Sequence, residues 1–283
     1  NKMSNLIFYT SGGLGNRLNP ILNIKNVFEA GFSLVWPKTM RLNCDFHDVF
    51  DNDEIKIISQ EELLELDDVD NYHGTGGGLA AAQHESNLNG LNNLFRLSQK
   101  YHPKTIGQFN SNHLTHKNTI VFFNNFIGEV NHKTIIENFK KLKPNKQISE
   151  RIKRVTNELG INKSIIGIHG RATDFVNERI DKYYNIVDSE LKTNKDQIFL
   201  FCSDDPQWEK LMKIRYPKNV LIREVKDNVY KANNDMPYNN NVMTPLEAVI
   251  DGYVDIVLLS KTNFKYFNAH STFGSLVNIL QNG

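Results

Sequence analysis

Cysteine is scarce in this 283-residue chain, which carries only Cys44 and Cys202. Two thiols cannot build a disulfide framework or a thiolate metal cluster, and Cys202 ends the apolar run Ile198–Cys202, where it reads as a small buried hydrophobe. A reducing, cytoplasmic setting is expected. No apolar run approaches the ~20 residues that cross a bilayer, and residues 1–10 lack the basic start and apolar core of a secretory leader. The formal net charge is only +1, so no global field draws the chain to nucleic acid or to an anionic membrane. Nine histidines form no His-Glu-x-x-His and no regular pairing with acids, so no metal site is expected. A Gly-x-Ser-x-Gly nucleophile elbow and a Gly-Lys-Ser/Thr phosphate loop are both missing. Where a nicotinamide dinucleotide would need an acid at the end of the second strand, Trp36-Pro37 stands instead, so no cofactor is expected.

What is present is alternation. Short apolar runs predict strands at Leu6–Tyr9, Phe32–Trp36, Ile55–Ile58, Ile120–Phe123, Ile165–His169, Ile198–Cys202, Val220–Ile222 and Asp255–Leu259. Helical periodicity predicts helices at Leu18–Ala30, Glu61–Leu66, Leu88–Lys100, Lys133–Leu142, Ile148–Leu159, Lys182–Leu191, Gln207–Tyr216, Pro245–Tyr253 and Thr272–Leu280. Strand–helix alternation over the whole length implies parallel α/β sheets. The boundary falls between Lys143 and Gln147, at a proline flanked by charged and polar residues. It divides the chain into Rossmann-like halves, 1–145 and 146–283, expected to face each other across a cleft. Residues 74–78, rich in glycine, are expected to form a flexible loop.

Four segments could carry chemistry. The most informative is His169-Gly170-Arg171-Ala172-Thr173-Asp174, directly after the apolar run Ile165–Ile168. Open α/β sheets bind ligands at the carboxyl ends of strands, and a glycine beside an arginine lets an anion approach the backbone and meet a cation. His169 could equally be an inert core histidine and Asp174 a helix cap. The second segment, Gly12-Gly13-Leu14-Gly15-Asn16-Arg17, lies between the first strand and a helix. Its amides and the helix start could hold an anion, and a plain strand-to-helix turn would use the same residues. In the third, Ser203-Asp204-Asp205-Pro206, one acid is expected to cap the following helix and the other to point toward a ligand. The fourth runs from Asp251 through Asp255 to Ser271-Thr272-Phe273, where hydroxyls and amides at a helix start could hold phosphate oxygens and Phe273 could stack on a base. A plain Ser/Thr cap is the simpler alternative.

Together, in this order, the four segments resemble the GDP-fucose-dependent fucosyltransferases (the α1,2, α1,6 and protein O-fucosyl enzymes). Gly12 to Arg17 is similar to their N-terminal glycine loop, and His169-Gly170-Arg171 through Asp174 to their His-x-Arg-Arg-x-Asp signature. Ser203 to Pro206 resembles their Thr-Asp-Asp-Pro segment, and Asp255–Ser260 with Ser271-Thr272-Phe273 their closing elements. Two positions depart from the pattern: Ala172 replaces the second arginine, and Phe175 stands where core α1,6 enzymes carry lysine. The resemblance implies a GT-B architecture, with an acceptor-side N-terminal domain and a nucleotide-sugar-binding C-terminal one. It also implies GDP-fucose as donor, an oligosaccharide or polysaccharide acceptor, inversion at the anomeric carbon and no metal. Carried over, Arg171 would grip the β-phosphate, with Gly170 beside it, and His169 would touch guanine or ribose. Asp255, or Asp251 one turn away, would touch guanine or ribose. Ser271, Thr272 and Phe273 would line phosphates and base, and Gly13, Gly15, Asn16 and Arg17 would face the donor. Asp174 would belong to the catalytic set, with Glu178 as base and Asp45 and Glu29 as weaker alternatives. Transfer of another GDP- or dTDP-sugar, or nucleotide-sugar binding without catalysis, would use much of the same constellation.

Overall fold

The computed structural model describes residues 6–38, 42–74, 100, 104–106, 117–122, 129–172, 178–224 and 245–283. The expected helix 88–100 (apart from Lys100), the loop beyond Gly74, Phe123 and Asp174 lie outside them. The chain forms two compact units, residues 1–145 and 146–283.

The first unit contains β1 (Leu6–Tyr9), α1 (Leu14–Leu22), α2 (Val27–Ala30), β2 (Ser33–Val35), β3 (Lys56–Ile57), α3 (Gln60–Glu65), β4 (Val69–Gly74), β5 (Lys104–Ile106), β6 (Asn118–Phe122) and α4 (His132–Phe139). Its strands make one parallel sheet in the order β3-β2-β1-β6-β4-β5. All four residues of β1 are buried, and Ile7 and Tyr9 pack with Val35, Ile58, Leu63, Ile120 and Phe122. After β1 the chain winds outward through β2 and β3. It then returns to the other side of β1, so the Ser11–Gly15 turn sits at a topological switch point.

The single helix expected at Leu18–Ala30 starts earlier and breaks in two. Gly13 caps its start, and Asn26 adopts a left-handed conformation, φ 56°, which Asn tolerates better than most residues. The break is tied down from α4: the Asn138 side-chain amide donates to the carbonyls of Leu22 and Ile24, both at 2.8 Å.

The second unit contains α5 (Lys146–Glu158), β7 (Ile166–Gly170), α6 (Ile180–Thr193), β8 (Phe199–Ser203), α7 (Pro206–Arg215), β9 (Val220–Leu221), α8 (Leu246–Ser260), β10 (Asn263–Tyr266) and α9 (Thr272–Leu280). The strands are parallel, in the order β10-β7-β8-β9. β7 is the switch strand here: β8 and β9 lie on one side and β10 returns on the other. Ile166 and Ile168 pack with Phe199, Phe201 and Val220 against Tyr183 and Val187 of α6 and Met212 of α7. On the β10 side a Cβ on Gly167 would lie 2.2 Å from Thr262 Oγ1 and 3.2 Å from Phe264 Cα, so only glycine lets β10 approach this closely.

One strand expectation is overturned. Asp255–Leu259 is the last part of α8, a helix buried on several faces with Val249, Tyr253, Val254, Ile256, Leu258 and Leu259 inside. A short apolar run reads alike as buried strand or buried helix. The true last strand is β10, a short edge strand whose burial alternates with its side chains. β4 and β5 were also not expected. β4 is Val-Asp-Asn-Tyr-His-Gly, with no apolar run to announce it. Both cysteines are buried free thiols, and no helix among the described residues is long and apolar enough to cross a membrane.

Candidate functional site

β7 delivers His169, Gly170 and Arg171 to the switch point of the second unit. His169 is buried and stacks on Phe273 from the first turn of α9, with ring centroids 4.2 Å apart and an interplanar angle of 20°. Gly170 is required by packing, because a Cβ there would lie 2.8 Å from Phe201 Cζ and 3.3 Å from Trp208 Cε3. The buried β7 end can therefore turn outward only as glycine.

Arg171 is held by the next strand end. Its Nη1 lies 3.0 Å from Asp204 Oδ2, and the other Asp204 oxygen accepts the Ala172 N–H at 2.7 Å. One carboxylate thus fixes both the side chain and the backbone that follows it. The Arg171 N–H also points to the Tyr183 hydroxyl at 3.4 Å, a weaker contact. The Arg171 side chain is 27% exposed, enough to meet a ligand while its geometry is set from one side.

The two acids of the third segment divide their work. Asp205 caps α7, accepting the Gln207 N–H at 2.8 Å ahead of Pro206 at the helix start, while its own N–H donates to Ser203 Oγ at 3.1 Å. Asp204 is the one turned toward Arg171.

Glu178 is almost enclosed. Its carboxylate accepts from Lys182 at 2.8 Å, from the Tyr183 hydroxyl at 2.8 Å and from the Asn268 side-chain amide at 3.0 Å. Burial pushes its pKa up, but the Lys182, Tyr183 and Asn268 contacts outweigh that and leave it below the usual range. Burial and the Glu178 charge push the Tyr183 phenol up in turn. A carboxylate saturated by three donors is a poor proton acceptor. The side chain expected to act as base instead ties the start of α6 to the turn ahead of α9, where the Asn268 carbonyl accepts the Ser271 N–H at 3.0 Å. Ser271 caps α9, its Oγ accepting the Gly274 N–H at 3.2 Å, and Thr272 and Phe273 follow in the first turn.

Asp251 and Asp255, expected on guanine or ribose, are turned inward on α8. Arg223, just beyond β9, places Nε 2.6 Å from Asp255 Oδ1 and Nη2 3.1 Å from Oδ2. Its Nη1 lies 3.4 Å from Asp251 Oδ2, and Arg151 Nη1 from α5 lies 2.6 Å from Asp251 Oδ1. Glu209 of α7 completes the cluster, 3.6 Å from Arg223 Nη2. Both aspartates thus form the floor of the unit. Arg223, Glu209 and Arg151 were not singled out from the sequence, although Arg223 directly follows a strand and carried the same signal as Arg171.

In the first unit, Gly12 has φ 82°, and a Cβ there would lie 2.7 Å from Asn16 Nδ2. Gly13 caps α1 with no side-chain hydrogen bond, Gly15 is in the first turn, and no acid sits there. Asn16 is half-buried. Arg17 is fully buried. Its Nε donates to the Gly12 carbonyl at 2.8 Å and its guanidinium lies 4.8 Å from the Trp36 ring centroid. It braces the glycine turn from inside, whereas a donor contact had been expected.

No protein-family model and no curated protein matches this chain. Among solved structures, the fucosyltransferase NodZ from Bradyrhizobium is similar over 98% of this chain and 93% of its own, at 15% identity and a TM-score of 0.57. NodZ alpha-1,6-fucosyltransferase soaked with GDP-fucose aligns over 98% and 92%, at 15% identity and a TM-score of 0.55. An Arabidopsis thaliana FUT1 mutant in complex with GDP aligns over 98% and 69%, at 12% identity and a TM-score of 0.51. At these identities the likeness is one of fold: the chain is an α/β protein with the GT-B fold.

Proposed function

We propose that this chain is an inverting, metal-independent glycosyltransferase that moves fucose from GDP-fucose to a hydroxyl of an oligosaccharide or polysaccharide acceptor. The observation that carries the reading is Arg171: a guanidinium at the switch point of a parallel sheet, oriented by Asp204 and partly open. When the bond between the sugar's anomeric carbon and the β-phosphate oxygen breaks, its electron pair stays on the diphosphate. The added negative charge needs a fixed cation and aligned amides. Arg171 supplies the first and the α9 start at Thr272 the second. The stacked His169–Phe273 pair offers the base a flat wall. Attack by the acceptor oxygen from the opposite face inverts the anomeric carbon, and the proton of its hydroxyl passes to a general base or to water. Asp174 belongs to the catalytic set in this reading, and Glu178 is a positioning residue.

Titration calorimetry with GDP, and donor turnover with GDP-fucose, GDP-mannose and a dTDP-sugar, tests the assignment. Micromolar binding of GDP, turnover of GDP-fucose above the other two, and unchanged turnover in excess EDTA are expected. Preference for GDP-mannose or the dTDP-sugar would replace the donor. GDP binding with no turnover of any donor would make the chain a binding module, and loss of turnover in EDTA would overturn metal independence.

A further inference from the structure

We propose that Glu209, a residue with no place in the transfer chemistry above, is a positioning residue for Arg171, holding the end of β8 from below so that Asp204 meets the guanidinium in register. The inference rests on the reading of the Arg171 pocket as a nucleotide-sugar site, but its geometry stands without a ligand. Glu209 is completely buried, and its Oε1 accepts the Ser203 N–H at 3.0 Å. Ser203 Oγ in turn accepts the Asp205 N–H at 3.1 Å, which leaves Asp204 between two fixed neighbours. Asp204 then grips Ala172 N–H at 2.7 Å and Arg171 Nη1 at 3.0 Å. An unbroken path therefore runs from a buried carboxyl through one backbone turn to the partly open cation. Asp205 already caps α7, and β8 ends at Ser203. The Glu209 contact fixes the strand-end amide from the helix below.

Charge explains why a glutamate occupies this place. Arg223 faces Glu209 from beyond β9, Asp251 and Asp255 face it from α8, and Cys202 and Ser203 from β8; Arg151 closes the far side of Asp251. Two guanidinium groups oppose three carboxyls in a buried space. Glu209 has the longest contact to Arg223 of the three. Burial, only partly countered by Arg223, pushes its pKa up to about 8. A carboxyl raised in the folded state stabilises the fold fully below its unfolded value, near 4.5. That contribution is lost as pH rises through about 8.

Amide exchange by NMR on Glu209→Ala and Glu209→Gln decides the role, with Ile168 in the middle of β7 as the reference for global opening. Glu209→Gln keeps an oxygen acceptor for the Ser203 N–H, whereas Glu209→Ala removes it. In Glu209→Ala, Ser203 and Ala172 amides are expected to exchange at least about tenfold faster relative to Ile168, about the loss of one hydrogen bond. GDP affinity should fall by a similar factor. Glu209→Gln should restore both to within about threefold of wild type, and should flatten the decline of thermal stability between pH 4.5 and about 8. The proposal is overturned if Ala172 in Glu209→Ala keeps wild-type protection, if all three amides accelerate together, or if Glu209→Gln is as impaired as Glu209→Ala. Failure of wild-type protein to bind GDP would sink the nucleotide reading alone, since the exchange comparison needs no ligand.

Discussion

Arg171→Ala is expected to lower turnover of GDP-fucose by about 10²–10³-fold, the usual cost of removing one preorganised stabiliser of developing negative charge, while the protein stays folded. The two effects separate because of where the side chain sits. Its ion pair with Asp204 is partly open on both sides, with side chains 27% and 19% exposed, and such pairs contribute little to stability, about 1 kcal/mol or less. Once the guanidinium is gone, Asp204 still accepts the Ala172 N–H and can turn its second oxygen to water. Ala172 stands directly after Arg171, so no second arginine follows in the strand exit. Arg171→Lys should recover only part of the loss, because an ammonium restores charge but cannot grip Asp204 and a phosphate through a planar fork. Steady-state kinetics on both variants beside a thermal melt checks this. A variant Arg171→Ala that keeps most of its turnover would place the leaving group elsewhere.

The ends of β7 and β8 were legible in the sequence because a buried parallel strand leaves a run of apolar residues ending at polar ones. Ile165–Ile168 ahead of His169 and Phe199–Cys202 ahead of Ser203 both read that way, and β7 and β8 lie there. The ambiguity between Asp204 and Asp205 could not be resolved by pattern, since either acid can cap a helix starting at Pro206. Only the fold shows which oxygen the Gln207 amide reaches. Asp255 misled for a physical reason: a helix buried on several faces loses its 3.6-residue signature. The run Asp255–Leu259 then reads as a strand with Asp255 at its start, where the family resemblance placed it on the ligand. Glu178 misled for another. Its sequence neighbourhood says nothing of Asn268, ninety positions away, whose amide joins Lys182 and Tyr183 in occupying the carboxylate. Arg17 shows the same limit, since the Trp36 ring it lies over follows a different strand.

Arg223→Met should be strongly damaging to the fold, costing about 3–5 kcal/mol, a large share of the roughly 5–15 kcal/mol that holds a domain folded. Arg223 is 5% exposed and makes both hydrogen bonds to Asp255, with Asp251 and Glu209 alongside. Its three carboxyl neighbours hold it charged well above the ordinary range despite burial. Methionine fills a similar volume but removes the counter-ion, so Asp255 is left buried with no guanidinium and must take up a proton or open the floor of the unit to water. The penalty is one of an orphaned charge, and it has a characteristic repair. Arg223→Met combined with Asp255→Leu and Glu209→Gln removes the guanidinium together with two of the carboxyls it faces, and such exchanges are often neutral or better. The triple variant should therefore melt closer to wild type than Arg223→Met does. Urea denaturation of the three proteins at pH 7 reads the difference, and a single variant as stable as wild type would mean the cluster is open to solvent. The opposition with Arg171 is the useful part: two arginines each follow a parallel strand and each meet an aspartate. The one at the half-open edge is expected to govern turnover with little effect on stability. The one sealed beneath Glu209 and α8 is expected to govern stability, and to affect turnover only through the protein's failure to fold.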